Sequence, residues 1–362
     1  MKIPMLDLDK QYETIKEEVY TAFDEVFTSK RFIGGDKINE LEDKIADYCG
    51  CSEAIGVSSG TDALLISLMA LGIGDGDEVI TTPFTFFATA GSIYRVGAKP
   101  VFVDIDADTY NLNVDLIEEK ITDKTKAIMP VHLFGQMCDM EKINEIADKH
   151  NLYVIEDAAQ AIGSEQNGQR AGSFGDVGCF SFFPSKNLGG AGDGGMVTTN
   201  DESLAEKVRI LRNHGSKPKY HHKIIGGNFR LDALQAAILL TKLPHLEKWH
   251  YGRKKNAEYY DKKLANISKT PFVKSNNRMI YNQYTLLFEN RDEMQNKLTE
   301  AEIGNAIYYP RPLHLQECFS YLGYGKGDFP VSEHAAEHVL SIPIYGELTK
   351  NQQDYIISTI RG

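Results

Sequence analysis

The 362-residue chain has no surplus of positive charge, no long apolar run, one tryptophan and only five cysteines. Each shortage excludes a class of protein. Against 39 Lys and Arg stand 51 Asp and Glu, a net charge of -12. A field of that sign does not hold a phosphate backbone or an anionic lipid surface, so neither nucleic acid nor a membrane is expected as a partner. No stretch approaches the roughly 20 apolar residues that cross a bilayer. The opening MKIPMLDLDKQYE lacks the apolar core of a secretory signal, and a cytoplasmic protein is expected. Cys49, Cys51, Cys138, Cys179 and Cys318 are odd in number, scattered and without CxxC pairs, which points away from a disulfide scaffold and from a metal site alike. Internal repeats and low-complexity segments are missing too. What is left is a globular chain with length for about two domains.

Short apolar runs organise it. AIGVSS, EVITTPF, PVFVDID, AIMPVHLFG, LYVIEDAA and VGCFSF alternate with helical stretches between Ala54 and Phe182. Unbroken apolar strands with helices between them imply an α/β fold whose parallel sheet is covered on both faces. Ligands collect at the carboxyl ends of such strands. Upstream, IPMLDLDKQYE reads as an extended arm, assigned residues 1–15. An amphipathic helix with Val19, Phe23, Val26 and Phe27 on one face follows, and Ile38, Leu41, Ile45 and Tyr48 mark another that stops at Gly50. Residues 16–245 are assigned to a large domain. Near Trp249 the chain turns charged and helical, a connector into a smaller domain, 246–362, with a core expected from strand 283–289, helix 291–301 and strand 304–309.

The strand ends carry the chemistry. Ser58, Ser59, Gly60 and Thr61 turn directly into an apolar helix, and free N–H groups at its positive end suit a phosphate. An ordinary capped helix start uses the same residues. After the second run come Phe84, Phe86 and Phe87, core residues unless one lies against a flat aromatic ring. After the fifth, Asp157 follows Leu152 to Ile155, expected inside the sheet. A carboxylate there needs a partner. Helix N–H groups are one; the protonated ring nitrogen of pyridoxal phosphate is another, with Gln160 in reach of that ring's phenolic oxygen. The sixth run delivers Ser181 and then SFFPSKNLGGAGDGG, where Lys186 stands between aromatics and five glycines. Apolar surroundings favour the neutral amine, which attacks carbonyls; taken alone, the stretch also describes a solvated lysine on a glycine loop. An amine, a buried acid, an anion cradle and an aromatic plate together describe pyridoxal phosphate. Downstream, Asn228 and Arg230 precede a long apolar helix, and AIYYPRPLHLQ gathers Tyr308, Tyr309, Arg311 and His314 on a proline-fixed loop. Ligand contacts or a domain interface would explain that crowding.

IPMLDLDKQY, SSGTDAL, VHLFGQ, IEDAAQA, SFFPSKNLGGAGDGG, GGNFRLDALQAA and YYPRPLHLQ stand in one order along nearly the whole chain. In these segments it resembles the DegT/StrS-type sugar-nucleotide aminotransferases. The resemblance implies fold type I of the pyridoxal-phosphate enzymes, with a mostly parallel seven-stranded sheet flanked by helices and a smaller C-terminal α/β domain. It makes Lys186 the Schiff-base lysine and Asp157 the partner of the pyridine nitrogen. Gln160 then contacts the phenolic oxygen, Phe86 stacks on the ring, and Gly60, Thr61 and Ser181 hold the phosphate. Asn228 reaches the phosphate across a homodimer interface with Arg230 nearby, and Tyr308, Tyr309 and His314 meet the sugar. Arg230, Arg311 and His314 are cations available to the nucleotide's phosphates. Family members with histidine in place of the lysine are dehydratases, so Lys186 implies amino transfer, from L-glutamate to a UDP- or dTDP-linked keto-sugar. C3 is the expected carbon and C4 the alternative, in amino-sugar supply for surface polysaccharide such as lipopolysaccharide O-antigen. Two other classes compete. A nicotinamide oxidoreductase lacks its GxGxxG after the first run, and a regulatory homologue would keep the cofactor pocket without turnover.

Overall fold

A computed structural model of the chain describes residues 1–362. In chain order its strands are β1 (Glu53–Val57), β2 (Glu78–Thr81), β3 (Lys99–Phe102), β4 (Thr125–Ile128), β5 (Tyr153–Asp157), the two-residue β6 (Glu165–Gln166) and β7 (Gln169–Arg170), β8 (Val177–Ser181), β9 (Gly195–Thr199), β10 (Asn277–Arg278), β11 (Tyr284–Leu287) and β12 (Val339–Ile342). Seven of them make one sheet in the order β1-β9-β8-β5-β4-β2-β3. Only β9 runs against its neighbours. β10, β6 and β7 form a small ribbon, and β11 pairs with β12.

The helices are α1 (Leu8–Ser29), α2 (Asp36–Cys49), α3 (Gly60–Leu71), α4 (Ala88–Arg95), α5 (Met140–His150), α6 (Glu202–Arg212), α7 (Ala233–Lys242), α8 (Leu246–Leu264), α9 (Arg291–Glu300), α10 (Pro330–His338) and α11 (Lys350–Arg361). Strand side chains alternate between two apolar layers, as the period of two requires. Ile80, Ile128, Val154 and Met196 face α2, α5 and α7. Val79, Ala127, Ile155 and Val197 face α3, α4 and α6. A separate core is built from β11, β12, α9, α10 and α11. α8 joins the two: Leu246 and Trp249 lie in the first, and Ala257, Tyr260 and Leu264 in the second.

Several expectations need correction. The extended arm is shorter than residues 1–15, because the Asp7 carboxylate accepts from the N–H of Asp9 and starts α1 at Leu8. Ile3 within it bridges to Ile303 and packs in the second core. Phe27 is 56% exposed and meets Phe32 edge-on, while Ile15, Val19 and Val26 are the buried residues of α1. Residues 304–309 form no strand; Ala306 alone bridges Ser341, and β12 takes the place beside β11. Leu152 precedes β5, and Tyr153 at its start is 42% exposed, so the sheet interior begins at Val154.

One buried carboxylate fixes the end of β5. Glu156 is fully buried and accepts from the backbone N–H groups of Gly172, Phe174 and Gly175, each at 2.8 Å. His132 Nε2 completes the set at 2.9 Å. The N–H of Cys138 donates to His132 Nδ1 at 3.2 Å; that nitrogen therefore offers a lone pair, and the ring proton sits on Nε2 toward Glu156. Glu156→Ala strands all of these donors in the interior. We expect it to cost about 3–5 kcal/mol of stability, read as a lower urea midpoint, with Glu156→Gln losing less. An unchanged midpoint would remove Glu156 from this role.

Candidate active site

A cavity of about 420 Å³ opens at the carboxyl ends of β5 and β8 and the start of α3. Ser59 caps α3, its hydroxyl accepting from the N–H of Asp62 at 3.0 Å. The first helical N–H groups, those of Gly60 and Thr61, have no intrahelical acceptor and front the cavity. Ser181, the last residue of β8, stands beside them. A Cβ on Gly60 would lie 2.6 Å from that of Ser181, and one on Gly195 would lie 2.4 Å from the Ser59 carbonyl oxygen. Both positions need glycine because backbone and strand end touch. The result is a concave set of N–H and O–H donors at the positive end of a helix, which suits an anion.

Asp157 and Lys186 face this space from β5 and from the turn after β8. The Asp157 side chain is held on two sides: Thr89 Oγ1 donates to Oδ2 at 2.8 Å and the N–H of Ala159 to Oδ1 at 3.3 Å. Burial pushes its carboxyl above the usual range, opposed by those hydrogen bonds and by the charge of Lys186. Lys186 remains partly accessible through the cavity mouth. Burial nonetheless holds its ammonium down to about 8, with the Asp157 charge pulling the other way. Neutral amine is therefore abundant just above neutral pH.

Gln160 shows how one amide is aimed. The N–H of Phe134 donates to Oε1 at 2.7 Å, so Nε2 is the donor end, and it meets the Tyr309 hydroxyl at 3.2 Å. Burial first, then the Asp157 charge, push the Tyr309 phenol far above its ordinary value, and it keeps its proton. Phe86 is 58% exposed at the cavity with its ring 6.3 Å from that of Tyr309. Phe84 is core, and Phe87 packs on Phe319.

Gly60, Thr61, Phe86, Asp157, Gln160, Ser181, Lys186, Tyr308 and Tyr309 thus line one cavity. Asn228, Arg230, Arg311 and His314 are not among its lining residues. Asn228 bridges Asn213 and Arg230 bridges Val57, and Arg230 Nε is buried without a partner. Arg311 is exposed. His314 is 1% exposed, paired with Glu333 of α10 at 3.0 Å and packed on Phe329, away from the cavity of this chain. Thr89, Gln283 and Asp193 went unnoticed in the sequence. A hydroxyl in ATAGS, one helical turn past Phe86, was the sole signal for Thr89.

The fit to pyridoxal phosphate rests on the donor set at Gly60, Thr61 and Ser181, a carboxylate buried where a ring nitrogen needs one, and an amine held near neutrality. Fold and cavity together define an aminotransferase that uses pyridoxal phosphate. The chain belongs to the DegT/DnrJ/EryC1/StrS aminotransferase family, whose model matches residues 13–361. It is 52% identical to a pleiotropic regulatory protein of Geobacillus stearothermophilus over 99% of this chain and 98% of that one. With UDP-N-acetyl-3-dehydro-alpha-D-glucosamine 3-aminotransferase of Acidithiobacillus ferrooxidans it shares 46% identity over 99% and 97%. Among solved structures, DesV of S. venezuelae in complex with a ketimine intermediate superposes with a TM-score of 0.97 at 40% identity, covering 99% of this chain and 98% of that one. Other solved relatives are known in PMP- and PLP-bound forms.

The depressed pKa of Lys186 sets a pH profile. Below about 8 the amine holds its proton and is not nucleophilic; above it, it is free. The rate at which cofactor-free protein captures pyridoxal phosphate, trapped by borohydride and mapped to the Lys186 peptide, is expected to rise about tenfold per pH unit and to level off near pH 8. A rise continuing to pH 10 would mark an ordinary lysine.

Proposed function

We propose that this enzyme carries the amino group of L-glutamate to C3 of a UDP- or dTDP-linked keto-sugar, working in the cytoplasm as a homodimer and supplying amino sugar for surface polysaccharide. The observation that carries the reading is the pairing of Lys186 with Asp157 at one cavity beside the Gly60, Thr61 and Ser181 cradle. C3 is chosen because the relative at 46% identity is named for amination at that carbon.

Bound pyridoxal phosphate supplies a carbon that carries the amino group and a ring that takes up the electron pair left at the donor's Cα. The chain's residues do the rest. Gly60, Thr61 and Ser181 anchor the phosphate by hydrogen bonds. Asp157 would keep the ring nitrogen protonated, Phe86 would cover one face of the ring, and Gln160 Nε2 would donate to its phenolic oxygen. Lys186 Nζ would hold the cofactor until glutamate takes its place. The freed amine would take the proton from the glutamate Cα and pass it to the cofactor carbon that carries the amino group, and water would supply the carbonyl oxygen of the departing 2-oxoglutarate. In the return half-reaction Lys186 delivers a proton to the sugar carbon that receives nitrogen. Tyr308 and Tyr309 border the sugar, and Arg230 and Arg311 serve its phosphates. Asn228 reaches the cofactor phosphate of a second copy, with Arg230 nearby. In support of a dimer, both stand away from the cavity of their own chain, and Phe27, Phe32, Ile33, Tyr220 and Ile225 expose apolar surface that a second copy would cover.

A regulatory reading draws on the name of the relative at 52% identity. The intact pairing of amine and acid favours turnover instead. The test is glutamate added to the cofactor-loaded protein, followed by a panel of UDP- and dTDP-linked 3-keto and 4-keto hexoses with the product carbon located by NMR. Conversion of the cofactor to its amine form and a 3-amino product are expected. Lys186→Ala should abolish both half-reactions, and Asp157→Asn should slow them roughly 10²–10⁴-fold. Cofactor that binds but never responds to glutamate would favour the regulatory reading, and a 4-amino product would move the assignment to C4.

A further inference from the structure

The five glycines after Lys186 have no role in the chemistry just described, yet two of them are explained by a single side chain. Gln235, on α7, lies over the loop. Its Oε1 accepts from the N–H of Ala191 at 2.8 Å. A Cβ on Gly190 would stand 2.7 Å from Gln235 Oε1, and one on Gly192 would stand 2.9 Å from Nε2. The loop backbone runs directly beneath the amide, so a side chain at either glycine would displace that amide from the loop.

Lys242, seven residues on, projects from the same face of α7. Its ammonium donates to the carbonyl of Gly189 at 2.7 Å. The Lys242 amine is itself held down to about 8 by burial, so keeping it charged at this place works against its environment. The loop carbonyl is the acceptor that the structure gives it. Gly189 is in turn pressed against the turn that carries Lys186, for a Cβ there would lie 2.4 Å from the Pro184 carbonyl oxygen. The turn closes through Lys186 N–H to Phe183 and Gly190 N–H to Phe182, both at 2.8 Å. Contacts from α7 on both sides of this closure leave little freedom for the lysine's backbone.

We infer that Gln235 and Lys242 are positioning residues for Lys186, and that α7 holds the reacting amine in place by gripping the glycine loop from behind. Neither touches the cavity; both act through the loop backbone. α7 is a rigid mount for this task. Ala236, Ala237, Leu239 and Leu240 are buried, and its first N–H, that of Ala233, donates to the Phe32 carbonyl at 3.0 Å. The inference rests on the proposed role of Lys186.

The test compares the full-length, cofactor-loaded protein with Gln235→Ala, Gln235→Glu, Lys242→Met and Lys242→Arg. Three readouts are taken: the pH midpoint of the bound cofactor's visible absorbance, the rate of the glutamate half-reaction at saturation, and the glutamate concentration giving half that rate. For Gln235→Ala and Lys242→Met at full cofactor stoichiometry, a loss of roughly 10- to 100-fold in rate is expected, with the half-saturating concentration within about twofold. The pH midpoint should move by about half a unit or more in Lys242→Met. Gln235→Glu retains the acceptor for Ala191 and should recover the rate to within about threefold. Lys242→Arg should recover both rate and midpoint. Rates within twofold of the parent in Gln235→Ala and Lys242→Met, with an unmoved pH midpoint in Lys242→Met, would overturn the inference. So would equal losses in the conservative variants, which would show a merely structural role. Should Gln235→Ala not fold, the Lys242 pair decides. If the parent itself ignores glutamate, the functional reading fails while the midpoint comparison still judges the inference.

Discussion

The structure turns on an amine and a carboxylate that are both uncomfortable when charged. Burial pulls the Lys186 ammonium down and pushes the Asp157 carboxyl up, and each is eased by the other's charge. An isolated pair of this kind gives little net stability. Its value lies in reactivity, since an amine near neutrality is a nucleophile and, in the function proposed, a buried acid would control the electrons of a ring whose nitrogen it meets. Such a pair works only if the two groups cannot relax toward solvent or toward one another. Much of the surrounding architecture serves that restraint.

Adjacent residues on β5 divide the labour. Strand alternation sends Glu156 to one face and Asp157 to the other. Glu156 spends its acceptor capacity on the backbone of Gly172, Phe174 and Gly175 and on His132, which locks the strand end. Asp157, on the locked strand, needs only Thr89 and one backbone N–H to be aimed. Two neighbouring carboxylates thus do unlike things because a period of two separates their surroundings: one is saturated and structural, the other is left with capacity for a ligand.

Much of this was legible in the sequence. Continuous apolar runs marked six of the seven strands of the main sheet, because strands covered on both faces have no polar side to show. Strand ends in the sequence carry Gly60, Asp157, Ser181 and Lys186, which the structure brings to one cavity. What the sequence did not show has physical causes. β9 pairs antiparallel at the switch between β1 and β8, and its GMVTT carries a weaker apolar signal. Phe27 looked buried by helical periodicity, which reports a face but not whether anything covers it. His314 sits in a loop whose composition suggests ligand contact, yet Glu333 of α10 captures it. Sequence spacing cannot reveal a partner that arrives from another element.

The same limit applies, with more consequence, to the glycine run. In the sequence those residues read as loop flexibility. In the fold, a Cβ on Gly190 or Gly192 would push the Gln235 amide off the loop, and one on Gly195 would meet the Ser59 carbonyl. Glycine here permits close approach rather than motion. A loop fastened at Gly189 and Ala191 and closed on itself at Phe182 and Phe183 is a rigid mount. The roles proposed for this amine, nucleophile, leaving group and proton carrier in turn, call for such a mount, because each task places Nζ within hydrogen-bond distance of a different atom. The short reach of a lysine side chain from a fixed backbone can cover those positions, whereas a mobile loop would have to be ordered anew at every step.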